Sequence, residues 1–153
     1  MKQRIRKFLV TAAMVLAVSG VARAHDDDDD VKPCSNSMLH GLYAFTASGF
    51  NIVAGVPQPK AIVELIDFHG NGKLTVPAAT VSINGAISRS TPGGTGTYTV
   101  GADCTGSLVF GPPLAPAGPA YDLFVAFQGS QIQMIQTGPG SPVFQGAAER
   151  VSR

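Results

Sequence analysis

Glu64, three histidines and two cysteines are the residues whose types and positions could do chemistry in this sequence. Glu64 stands inside the most hydrophobic and branched run of the chain, Lys60-Ala-Ile-Val-Glu-Leu-Ile-Asp-Phe-His69. A carboxyl among apolar neighbours loses hydration, its pKa rises, and it becomes able to give and take a proton near neutral pH. Read as a strand, the run places Ile62, Glu64, Ile66 and Phe68 on one face and Ala61, Val63, Leu65, Asp67 and His69 on the other. With the first face inward, Glu64 is a candidate acid/base for a cyclase or isomerase acting on an apolar substrate. The simpler reading turns Val63 and Leu65 inward and leaves Glu64 solvated.

His25 would become the first residue once an export signal is removed. Its amino group and imidazole could then chelate copper in a square nitrogen geometry, with His40 or His69 as a further donor. The plainer reading is a histidine in an acidic arm, so no metal site is assigned beyond that candidate. The adjoining Asp26 to Asp30 lacks the fixed oxygen geometry of tight calcium sites. The sequence holds no Gly-x-Ser-x-Gly elbow, no phosphate-binding glycine loop and no His-Glu-x-x-His pattern, so no cofactor is expected.

Cys34 and Cys104 are the two cysteines of the chain. Without Cys-x-x-Cys or His-x-x-x-His spacing they do not make a tetrahedral zinc set. In an exported chain they most simply form one disulfide, because the periplasm and the outside are oxidising. Closing that loop would stabilise the fold by roughly 4 kcal/mol on the chain-entropy model.

The export reading rests on residues 1–24: a basic start (Lys2, Arg4, Arg6, Lys7), an apolar run from Phe8 to Val18 and the small-residue site Ala22-Arg23-Ala24. No second apolar run of membrane-spanning length follows, so a secreted or periplasmic protein with no membrane span is expected. Removing 24 of the 153 residues leaves 129, the size of one domain. Five of the eleven basic residues leave with the signal, so six bases face ten acids and the net charge becomes −4. The remaining bases are scattered, so no nucleic-acid partner is expected. Residues 25–33 read as a disordered acidic arm, and 34–153 as the folded domain. Oligomeric state is not legible.

The elements that must position these residues are strands. Tyr43, Phe45 and Ala47 share a face, followed by a possible extension from Phe50 to Val53 after the Ser48-Gly49 break. Val56-Pro-Gln-Pro59 reads as a loop. Lys60–His69 and Lys73–Val76 flank Gly70-Asn-Gly72 as a hairpin. Thr80–Ile83 and Ala86–Ser88 flank Asn84-Gly85, the strongest hairpin signal in the chain. Thr97–Val100 and the strand ending at Phe110 flank the turn that carries Cys104. Tyr121–Gln128, Gln131–Thr137 and Val143–Val151 complete about eight or nine short strands without a convincing helix. The fold class is all-β: a single antiparallel barrel, with a β-sandwich as the alternative. Tyr43, Phe45, Tyr121, Leu123, Val125 and Phe127 could line a ligand cavity, or be plain core.

Four stretches together resemble small secreted bacterial proteins of the allene oxide cyclase barrel-like family. They are Cys34-Ser-Asn-Ser-Met-Leu39-His-Gly41-Leu-Tyr43, Asp67-Phe-His-Gly-Asn-Gly-Lys-Leu74, Gly96-Thr-Tyr98-Thr-Val-Gly-Ala-Asp-Cys104-Thr-Gly106-Ser-Leu108 and Gly146-Ala-Ala-Glu-Arg150. The resemblance runs from Cys34 to Arg150 and implies an eight-stranded, calycin-like barrel. It places no catalytic residue of the plant enzymes on this chain, and a fold does not carry a function. The expected function is therefore binding of a small apolar ligand, or a structural or interaction module. A cyclase or isomerase and a copper binder are the alternatives.

Overall fold

A computed structural model describes residues 32–90, 94–111, 118–140 and 142–152. The signal, the arm from 25 to 31 and His25 lie outside these residues. Nine strands follow in order: β1 (His40–Val53), β2 (Val56–His69), β3 (Lys73–Ile83), β4 (Ala86–Ser90), β5 (Gly94–Val100), β6 (Thr105–Phe110), β7 (Ala120–Ala126), β8 (Gln131–Gly138) and β9 (Val143–Ser152). Eight of them close into an antiparallel barrel, running β1-β2-β3-β5-β6-β7-β8-β9 and back to β1. β4 pairs only with β3 and lies outside the ring. Closure leaves the eight barrel strands a neighbour on each side, which a sandwich would not.

The period-two pattern decides which side chains fill the barrel. Along β7, Tyr121, Leu123 and Val125 are buried while Asp122 and Phe124 face outward. Two groups of edge-on rings divide the interior. Tyr43, Phe68 and Tyr98 touch at centroid distances of 5.0 Å, and Phe45, Tyr121 and Phe110 at 5.9 and 5.8 Å. Each edge-on pair adds about 1 kcal/mol beyond area burial.

The structure corrects several expectations. Val56 to Pro59 is not a loop but the start of β2, paired with β1. Pairing of β2 with β3 begins at Lys60, so Pro57 and Pro59 fall where β2 is an edge and a missing N–H costs little. β1 runs unbroken through Gly49, where a Cβ would lie 1.9 Å from the Val143 carbonyl oxygen of β9. β3 is one strand rather than two. Its outer edge changes partner from β5 to β4 around Pro77, a position paired in neither ladder. Phe127 does not continue the inward face of β7. The strand ends at Ala126, Phe127 and Gln128 take positive φ in a short 3-10 turn (Phe127–Gly129), and the Phe127 ring is 74% exposed.

The Asn84-Gly85 turn has positive φ at both residues, as the dipeptide predicts. It tips the β3–β4 hairpin, and Asn84 N–H donates to the Pro59 carbonyl of the β1–β2 hairpin at 2.8 Å. Both hairpins therefore reach past the barrel at the same end.

Candidate functional site

The end of the barrel away from these hairpins is filled. A 3-10 turn, Asn36–Met38, lies across it and is tied from several sides. The Tyr98 hydroxyl lies within donating distance of the Leu39 and Asn36 carbonyls, at 2.8 and 3.1 Å. Asn36 Oδ1 accepts from Val100 N–H at 2.7 Å. Arg150 Nη2 donates to the Met38 carbonyl at 2.7 Å and to the Gly129 carbonyl at 2.8 Å, and its Nε donates to the Tyr43 hydroxyl at 2.9 Å. Tyr43 in turn donates to the Gly129 carbonyl. Beside this plug, Cys34 and Cys104 form a disulfide with Cα atoms 5.0 Å apart and a sequence separation of 70. Cys104 sits in a turn pinned by Asp103, whose carboxylate accepts from Thr105 N–H and hydroxyl and is held below its usual pKa by them.

The other end contains a cavity of about 260 Å³. Ile62, Val76, Val81, Ile83 and Phe110 give it apolar walls, and Ser88 and Ser90 of β4 line its rim. Lys60, Glu64 and Tyr121 are its ionisable members. Glu64 is only 6% exposed, and its Oε1 has no hydrogen-bond partner among the described residues. Burial pushes its carboxyl up to about 7, against a smaller downward pull from the Lys60 charge. Lys60 is half-buried, which lowers its own pKa. Its Nζ donates to Gln136 Oε1 at 3.0 Å and lies 4.1 Å from the centre of the Phe144 ring, an attraction worth more once desolvated. Burial and the nearby Glu64 charge raise the Tyr121 hydroxyl. A larger depression, about 500 Å³, lies on the outer face near Phe124, Gln133 and Ala147. It is open and no titratable side chain lines it, so the interior cavity is the better candidate.

The reading that turned Val63 and Leu65 inward is overturned. Glu64, Ile66 and Phe68 are buried, whereas Val63 is 59% exposed. Of the six candidate lining residues, Tyr121 alone is among those that line this cavity. Phe45 packs edge-on against Tyr121, Tyr43 belongs to the plug, and Leu123 and Val125 are core. Phe127 faces outward. His40 and His69 are both exposed and stand directly opposite each other across the β1–β2 ladder. Among the described residues no group of three His, Cys, Asp or Glu side chains could hold a metal.

Lys60 and Gln136 went unnoticed in the sequence, although parity announces both. Lys60 is four residues before Glu64 and thus on its face. Gln136 follows Ile132 and Met134 on the buried face of β8. A polar residue in phase with a buried apolar series is the signal, and it needs the facing strand to be interpreted.

Comparison with known proteins finds no matching family model, no matching curated protein and no matching solved structure. Among the described residues no helix is long and apolar enough to cross a membrane.

Proposed function

We propose that the protein is an exported barrel that takes a small, largely apolar molecule into the cavity at its open end. The observation that carries this reading is the asymmetry of the interior: one end is plugged by Asn36–Met38 and Arg150, and the other encloses about 260 Å³ between apolar walls and a few convergent polar groups. Such a combination is the usual form of a small-molecule site. The disulfide fits an oxidising compartment, and residues 1–24 supply the export signal on this reading. The four stretches resembling allene oxide cyclase barrel-like proteins support the barrel and say nothing of its ligand. Native mass spectrometry after soaking in a fatty-acid and terpenoid library is expected to show a bound mass. A chain that emerges without one would leave only a structural or interaction role.

The position of Glu64 favours a second reading. A buried carboxyl that titrates near 7 inside a cavity suits a general acid/base, so turnover by a cyclase or isomerase would depend on it. Glu64→Gln is then expected to abolish any turnover detected with a library member; retained turnover would remove this mechanism.

A further inference from the structure

Glu64 Oε1 is buried and has no hydrogen-bond partner among the described residues, while the Lys60 ammonium beside it is already engaged by Gln136 Oε1 and the Phe144 ring. With Glu64 ionised, as at pH 8, the two charged groups of the cavity are not equivalent: one is satisfied and the other is an acceptor that needs a donor. A buried polar atom left in this condition is costly, and in native proteins it marks a place where a further group belongs.

We infer that the molecule held in the cavity is a neutral alcohol: an apolar body carrying one hydroxyl, which donates to Glu64 Oε1. This inference rests on the binding reading above and specifies its ligand. The donor requirement follows from Oε1. Neutrality follows from the neighbours on both sides. An ammonium would bring a second cation beside Lys60, which Gln136 and Phe144 hold in place. A carboxylate would bring a second anion beside Glu64. A hydroxyl does neither, and its oxygen is left free to accept from Tyr121, which lines the same cavity. The size follows from the volume. Taking ~30 Å³ for one water in the liquid, the 260 Å³ cavity holds on the order of nine non-hydrogen atoms, a body of about eight carbons and one oxygen. Ile62, Val76, Val81, Ile83 and Phe110 receive the apolar body, while the Ser88 and Ser90 hydroxyls also line the cavity.

Four eight-carbon probes separate the possibilities by isothermal titration of the full chain at pH 8: 1-octanol, octyl methyl ether, octylammonium and octanoate. The alcohol is expected to bind at least tenfold more tightly than the other three, a ratio set by the hydrogen bond to Glu64. In Glu64→Leu that advantage over the ether is expected to vanish, with an unfolding midpoint at or above the parent's showing that the fold is kept. An ether that binds as well as the alcohol would mean that solvent serves Oε1, and would overturn the inference while leaving the binding barrel standing. Tightest binding by octylammonium or octanoate would overturn it in the same way. Binding of none of the four would defeat the barrel's binding role and the inference with it. The comparison among probes uses the parent chain alone, so it stands even if the variant folds poorly.

Discussion

At the plugged end of the barrel, Tyr43, Tyr98, Asn36 and Arg150 each have a partner for the polar atom they bring inside. At the open end, Glu64 Oε1 has none among the described residues. Both ends are built from the same period-two strands and comparable aromatic groups, so the difference lies in what the chain does with its polar side chains. At one end they are spent on holding a turn across the barrel mouth. At the other a carboxyl is kept dehydrated beside a cavity, at a cost to folding. Polar networks that are fully satisfied make one arrangement unique, whereas an unsatisfied buried group is a reservoir that function can draw on. Cys34–Tyr43, the Gly70-Asn-Gly72 turn, the Cys104 turn and Arg150 are all tied into the plugged end.

The comparison breaks most visibly at Arg150. Its guanidinium reaches the Met38 carbonyl, the Gly129 carbonyl and the Tyr43 hydroxyl at once. Hydrogen bonds from a charged donor contribute about 1.5 to 3 kcal/mol each and are not additive. Arg150→Ala is therefore expected to lower the unfolding free energy by about 4 kcal/mol in urea titrations with the disulfide intact, and to leave binding in the distant cavity unchanged in whatever fraction stays folded. Arg150→Lys, a point charge without the planar fork, is expected to recover no more than half. A loss below about 1 kcal/mol for Arg150→Ala would mean that the plug holds without its clamp, against the range for such bonds.

The plugged end was also the legible one. Turn chemistry is local, so Gly70-Asn-Gly72 and the Cys104 turn could be placed from a few residues each, as could Asn84-Gly85 at the other end. The pairing of Cys34 with Cys104 followed from their being the two cysteines of the chain. The open end depends on contacts between residues far apart in sequence. Lys60 meets Gln136 across 76 positions, and no local pattern announces that. Glu64 was misplaced for a related reason. Both faces of Lys60–His69 carry apolar residues, so hydrophobicity did not choose between them; register did, when Phe45 came to stand opposite Glu64 on β1 and faced the interior. Val56 to Pro59 was read as a loop because proline lacks a donor, and the structure accepts Pro57 and Pro59 where β2 has no partner on that side.

The second way to test the contrast is pH. Glu64 titrates near 7 in the folded chain, against 4.5 as its ordinary value. The folded state therefore keeps a proton that the unfolded state loses. The stability this contributes is fully present below about pH 4.5 and is lost as pH rises through about 7. A shift of this size corresponds to roughly 3 kcal/mol across the window. Glu64→Gln removes the titration, so its unfolding free energy is expected to match the parent's near pH 4 and to exceed it by up to that amount at pH 8. Parallel urea midpoints from pH 4 to pH 8 check this. A parent and variant that track each other over the whole range would show that Glu64 is hydrated in the folded protein and that the open end is no different from the plugged one.

The smallest effect is expected at Phe127, where it separates the plug's backbone from its surroundings. A phenylalanine continuing the inward face of β7 would be worth about 3 to 5 kcal/mol on truncation. Here the ring is 74% exposed and its backbone has φ of +49°, a conformation that costs most residues free energy and that asparagine accepts more readily. The contribution of this turn to the plug is the Gly129 carbonyl, which Tyr43 and Arg150 hold, and not the ring two residues earlier. Phe127→Asn is therefore expected to change the unfolding free energy by less than about 0.5 kcal/mol, with the sign favouring the variant where relief of the positive φ outweighs the little area the ring covers. A loss of several kcal/mol in the same urea titration would place the ring in the core. It would also move the boundary of the plug from the backbone carbonyl to the side chain beside it.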